Sequence, residues 1–175
     1  MRMTQTKWIL AASVTVLLSV AVADANDAGH APSVAEQIGG MQAMCAETAE
    51  ARAQRQAEKP LYDRLGGYDR IHEFAREIVH LHSQNDAIKG MFEYLDTEEL
   101  AKRSADFIAS GTGGSQSYGG PTLPETHAKL RLTDADFLAA GGDIVKAMQT
   151  MGYGEDEINE FVCILVSLKD QVVLE

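Results

Sequence analysis

Asp69-Arg70-Ile71-His72-Glu73-Phe74-Ala75-Arg76-Glu77-Ile78-Val79-His80-Leu81-His82-Ser83 carries apolar side chains at the spacing of a helix. Ile71, Phe74, Ala75 and Ile78 make one stripe, and His82 falls on its continuation. Further along, Thr97 reads as the cap of a helix whose inner face is Leu100, Ser104, Phe107 and Ile108. Thr133, with Asp136 three positions on, opens another helix that carries Phe137, Ile144, Val145, Met148 and Met151. A last helix is expected from about Glu155 to Val172, with Ile158, Phe161, Val162, Leu165 and Leu168 inside. Turn signals fall between these segments, at Gly66-Gly67, Gly113-Gly114, Gly119-Gly120-Pro121 and Gly152. Nothing alternates as a strand would, so the domain from Pro60 to Glu175 is all-α. Periodicity leaves a bundle and a globin-like crossing of helices equally open.

Upstream, Arg2 and Lys7 precede an uncharged apolar run from Trp8 to Ala23, followed by Ala23-Asp24-Ala25. A short basic start, an apolar stretch and small residues two apart make a secretory signal, cut after Ala25. The run is shorter than the roughly 20 apolar residues of a spanning helix, the reading as an uncleaved anchor being the alternative. Export of a domain with no membrane span follows, into the periplasm if the cell is Gram-negative. Residues 26–59 hold no aromatic side chain. Asn26, Asp27, Gly29, Pro32 and Ser33 read as a linker, and Met41 to Glu58 as an extra helix. Its stripe of Ile38, Met41, Met44 and Cys45 is weak, so loose packing or fraying is expected.

Composition narrows the function classes. The chain of 175 residues has 15 Lys and Arg against 26 Asp and Glu, a formal net charge of −11. That balance excludes binding to a nucleic-acid backbone, which needs clustered cations. Two cysteines exclude both a disulfide-framework protein and a four-cysteine zinc site. In an oxidising compartment Cys45 and Cys163 form either a disulfide or two separate thiols.

Histidine is the informative residue type. Glu77 and His80 make a Glu-x-x-His pair, half of a di-iron site, but no second copy occurs. His80 and His82 are two apart and point to different sides of a helix. His80 lies off the apolar stripe and reads as solvated, whereas His82 reads as a hydrogen-bonded core residue. The sequence lacks Cys-x-x-Cys-His, which excludes c-type haem attachment. Gly111-Thr112-Gly113-Gly114 follows a helix and lacks Lys-Ser/Thr, so it ends a helix and cradles no phosphate. His127 follows a Gly- and Pro-rich turn and precedes Ala128, Leu130 and Leu132. It is either a metal ligand or a buried or capping histidine.

From Leu61 to Val173 the chain resembles the group I truncated haemoglobins. Leu61-Tyr62-Asp63-Arg64-Leu65-Gly66-Gly67 is similar to that family's first helix and Gly-Gly turn. Phe92 stands where the family has a haem-packing phenylalanine. Gly113-Gly114 and Tyr118-Gly119-Gly120 resemble its second glycine signature. Glu125-Thr126-His127-Ala128-Lys129-Leu130 resembles the segment with the iron-binding histidine, and Leu132-Thr133-Asp134-Ala135-Asp136-Phe137 the helix after it.

The resemblance implies a truncated globin-like helical sandwich; the signal peptide and the extra N-terminal helix before Pro60 lie outside the match. It implies haem b bound through His127 as proximal ligand, and reversible binding of a diatomic gas, oxygen or nitric oxide. Phe74, Ile78, Phe92, Phe107, Ile108, Ile144 and Met148 are the expected walls for the porphyrin. Its anionic propionates call for cations, for which Arg103, Lys102, Lys129 and Arg131 are the candidates. On the distal side the chain departs from the family. Val79 replaces the usual tyrosine, Ser104 the usual glutamine, and Leu100 fills the remaining position. One short hydroxyl thus stands in for two strong donors, and His82 is the candidate for an internal sixth ligand. The same scaffold allows a nitric oxide dioxygenase or peroxidase-like enzyme with an electron donor, and the residues alone also fit a haem-free helical interaction module.

Overall fold

The computed structural model describes residues 31–174, and among them every regular element is helical. The signal-peptide reading of residues 1–25 and the start of the linker, with His30, lie outside the described residues. The helices are α1 (Val34–Glu47), α2 (Ala49–Glu58), α3 (Leu61–Arg64), α4 (Gly67–Gln84), α5 (Thr97–Gly111), α6 (Leu123–His127), α7 (Asp134–Thr150) and α8 (Glu155–Leu168). Single 3₁₀ turns, Lys89–Met91 and Lys169–Gln171, follow α4 and α8. The last helix therefore ends four residues before Val172. Among the described residues no helix is long and apolar enough to cross a membrane.

Helix α4 lies along α5 and α7, α7 packs on α8, and α1 is laid across α8 and α7. At the centre, the fully buried Phe74 ring meets Tyr153 and Phe161 edge-on, at centroid distances of 5.8 and 5.4 Å. Leu61, Leu65, Ile71 and Met148 are as deeply buried. Each such side chain contributes about 1.5–3 kcal/mol of burial. The face of α5 that meets the core differs from the expected one. It is Ala101, Ala105, Ala109 and Ile108, while Leu100, Ser104 and Phe107 are half-buried on the adjoining flank. Three alanines four apart let the α4 and α5 backbones approach closely, which a Leu-Ser-Phe row would prevent. The cap of α5 is Asp96, whose carboxylate accepts from the Glu98 and Glu99 amides, and Thr97 is its first helical residue.

Between α3 and α4 the chain turns through two residues with positive φ, Gly66 at 94° and Gly67 at 78°. Only glycine adopts that pair cheaply, and a Cβ on Gly66 would press on Arg70 at 3.0 Å.

The N-terminal extension also differs from the expectation. Helix starts at Val34, not Met41, because Ser33 and Glu36 form a capping box. Ser33 is thus a cap where a linker was expected, and Thr48 divides the segment into α1 and α2. Helix α1 is not loosely held. Ile38 is buried, and a Cys45–Cys163 disulfide bonds α1 to α8. Arg64 of α3 reaches α8 as well, donating to Glu157 at 3.0 Å and to Glu160 at 2.7 Å.

Candidate functional site

Helix α6 has only five residues, too few to persist on propensity alone. Thr122 and Glu125 hold it with a capping box, and Pro124 sits in its first turn. The Thr122 amide and hydroxyl both donate to the Glu125 carboxylate at 2.8 Å. Those two bonds hold the Glu125 carboxyl below the usual glutamate range. The result is a fixed single turn with His127 as its last residue.

His127 is half-buried, and its Nδ1 lies 2.7 Å from the carbonyl oxygen of Leu123. A carbonyl only accepts, so Nδ1 is the protonated nitrogen, and in the neutral imidazole Nε2 holds the lone pair. That is the tautomer and orientation a metal-ligating imidazole needs: one nitrogen anchored to the backbone, the other available as a donor to a metal.

The expected pocket residues divide by burial. Phe74 and Met148 are fully buried in the core, Phe74 against Tyr153 and Phe161. Ile78, Val79 and Ile108 are buried at the edge of that core. Phe92, Leu100, Ser104, Phe107 and Ile144 are all half-buried. Phe107 rests edge-on against Tyr118 at 5.2 Å, and Phe92 lies against His82 at 5.4 Å. On the 17-residue α7 only Ala147 and Met148 are buried, while Phe137, Leu138, Ile144 and Val145 keep part of their apolar surface open. Half-buried apolar side chains on α5, α7 and the Phe92 turn suit the faces of a large flat hydrophobic group.

The cations sort differently from the expectation. Arg103 is held by Glu99 at 3.0 Å, and Lys102 by Asp106 at 2.8 Å, each one turn away on α5. Lys129 and Arg131, just past His127, are exposed and outside the ion pairs of the described residues. Arg131 adopts a left-handed backbone, φ 52°, which turns the chain toward α7.

His82 is buried, and its Nδ1 donates to Asp143 of α7 at 2.9 Å. Asn85 donates to the same carboxylate oxygen at 2.9 Å. Burial pushes the His82 imidazole below its usual range, outweighing the opposing pull of Asp143. This is the hydrogen-bonded core histidine of the sequence reading, and its bond to Asp143 argues against a swing to a metal. Asp143 and Asn85 were missed by sequence reasoning. A lone carboxylate between Gly142 and Ile144, on the apolar side of a helix, was the available signal. His80 is exposed, as expected. It helps line a surface groove of about 470 Å³ with Glu73, Arg76, Glu77 and Glu98. The charged walls of that groove do not suit an apolar disc.

Comparison with known proteins agrees with the fold. The family model described as bacterial-like globin matches residues 60–173. The group 1 truncated hemoglobin GlbN of Mycolicibacterium paratuberculosis is 20% identical over 122 residues, covering 70% of this chain and 90% of the relative. The protein of the same name from Synechocystis sp. is 27% identical over 108 residues, covering 59% and 87%. Among solved structures, the Fe(III) form of truncated hemoglobin from Tetrahymena pyriformis superposes with a TM-score of 0.62 at 19% identity, covering 67% of this chain and all of that one. The 2/2 hemoglobin of Synechococcus sp., in the cyanomet state with covalently attached heme, gives 0.61 at 23% identity, covering 65% and 98%.

The all-helical fold of truncated-globin form and the match to a globin family over residues 60–173 together define a haem-binding globin. The chain belongs to the bacterial-like globin family.

Proposed function

We propose that this protein binds haem b through His127 and reversibly holds a diatomic gas on the opposite face. The observation that carries this reading is the 2.7 Å bond from His127 Nδ1 to the Leu123 carbonyl, which leaves Nε2 as the ligand atom. Phe92, Phe107, Leu100 and Ile144 would cover the porphyrin faces, and Lys129 and Arg131 would meet the propionates. When bound, haem would supply an iron able to take up a diatomic gas. What this chain adds on that side is largely apolar: Val79 and Leu100, with the Ser104 hydroxyl as the single short donor. Bound oxygen, which gains about 1–3 kcal/mol from a good donor, would leave quickly, and carbon monoxide and nitric oxide would be less affected. A reading as a gas-binding globin with weak oxygen retention therefore fits better than oxygen storage.

Purified protein mixed with haem should show a Soret band that His127→Ala abolishes or shifts to that of loosely bound haem. A wild-type protein without such a band would overturn the reading, and an unchanged band in His127→Ala would overturn the ligand assignment.

We also propose that the protein is exported. The Arg2–Ala25 pattern supports this, and so does the Cys45–Cys163 disulfide, a bond that persists in oxidising compartments. Asn26 as the first residue of protein recovered from the extracytoplasmic fraction is the expected result.

A further inference from the structure

The buried polar cluster beside Phe92 has no part in the reading above. One carboxylate oxygen of Asp143 accepts two hydrogen bonds, from His82 Nδ1 and from Asn85 Nδ2, both at 2.9 Å. His82 is the last buried residue of α4, and Asn85 caps that helix. Asn85 also builds the turn that follows. Its side-chain oxygen accepts from the Ala87 amide at 3.1 Å, and its backbone carbonyl from the Ile88 and Lys89 amides at 3.0 and 2.8 Å. That turn ends at Phe92, whose ring lies 5.4 Å from the His82 ring.

One acid on α7 thus holds the Phe92 segment at two places, the base of the turn through Asn85 and the ring it packs against through His82. The bonds are charge-assisted and largely out of water, which makes them strong and directional. Asp143 also adjoins Ile144, so the grip fixes Phe92 relative to another side chain of the candidate pocket.

We infer that Asp143 is a positioning residue for haem: acting through His82 and Asn85, it sets where the Phe92 ring meets the porphyrin. The inference rests on the haem reading above. It assigns Asp143 no contact with the cofactor and no role in gas binding.

The test is a cycle of variants, Asp143→Ala, Phe92→Leu and the pair, each scored by the rate at which ferric haem passes to excess apomyoglobin. Asp143→Ala alone is expected to speed release about tenfold, the size of a lost charge-assisted hydrogen bond. In the Phe92→Leu background the same change should add less than about twofold, because the group it positions is gone. Asp143→Asn and His82→Gln, which keep shape and some hydrogen bonding, serve if the alanine variant fails to fold. They should shift the same haem-methyl NMR signals of the cyanide-bound ferric protein that Phe92→Leu shifts. Full acceleration by Asp143→Ala in the Phe92→Leu background would make Asp143 a general stabiliser and overturn the inference alone. Wild-type protein that takes up no haem would instead overturn the reading on which it rests.

Discussion

Cys45 of α1 is bonded to Cys163 of α8, closing a loop with a sequence separation of 118 residues. The cross-link joins the extension before Pro60 to the end of the globin domain, across the buried Ile38 contact. Loops of this length lose about 3–5 kcal/mol of chain entropy when closed, a gain expressed through the unfolded state. Reduction, or Cys45→Ser with Cys163→Ser, should lower unfolding free energy by a comparable amount in denaturant titrations. A loss under about 1 kcal/mol would mean that α1 contributes by packing alone.

The distal residues make a second prediction, and burial decides how to test it. Val79 is only 3% exposed, so Val79→Tyr would overpack the core at a cost of about 1–3 kcal/mol. Leu100 is half-buried on the flank of α5 and leaves room for a similar-sized amide. Leu100→Gln should slow oxygen dissociation by about 5- to 100-fold, the worth of one hydrogen bond to bound oxygen, and affect carbon monoxide less. Oxygen displacement in a stopped-flow instrument reads this directly, and equal effects on both gases would point to a steric cause.

His82 gives the acid limb of stability. Burial lowers its pKa, and the Asp143 hydrogen bond and charge only partly oppose that. The unfolded chain therefore binds the proton more readily than the folded one. The contribution of His82 is complete above the ordinary histidine value, about 6.5, and is lost as pH falls through the lower folded value. Between those two values stability should drop by at most about 1.4 kcal/mol per pH unit. Melting curves from pH 7.5 to 5 should fall less steeply for His82→Gln than for the parent protein. Parallel curves would assign the acid limb to carboxylates.

The legible part of this molecule is the part written in local patterns. Helical periodicity over Ile71, Phe74, Ala75 and Ile78 places α4 within two residues of its ends, because that stripe is buried as a stripe. Cap chemistry is readable at Thr133, less so elsewhere: the Ser33–Glu36 box follows residues that look like linker, and α5 is capped by Asp96, one residue before Thr97. The inner face of α5 was not readable in the same way. Leu100 and Phe107 outrank alanine in hydrophobicity, yet the close α4–α5 approach selects Ala101, Ala105 and Ala109. At the site, the position of His127 was visible in the segment around it. The carbonyl of Leu123 that orients it was not, since backbone partners leave no residue signature. Arg103 looked free because its partner Glu99 competes on the same helix face, a pairing that spacing alone allows but does not require.

Glu160 carries the last prediction. Its side chain is 6% exposed, receives a 2.7 Å bond from Arg64 Nη2, and lies 3.6 Å from Arg55 Nε. Glu157, which takes the other arm of Arg64 at 3.0 Å, is 20% exposed. The two carboxylates face the same guanidinium but differ in what their loss leaves behind. Without Glu160, Arg64 keeps Glu157 and Arg55 keeps Asp156 at 3.4 Å, so what is lost is the largely desolvated Arg64–Glu160 bond, worth about 1.5–3 kcal/mol. Without Glu157, water and Glu160 still serve Arg64, and the loss is that of a mostly surface pair, about 0–1 kcal/mol. Glu160→Ala should therefore destabilise the fold several times more than Glu157→Ala. Chemical denaturation of the two variants side by side measures the difference, and similar losses would mean that the network behaves as a surface ion pair despite its burial.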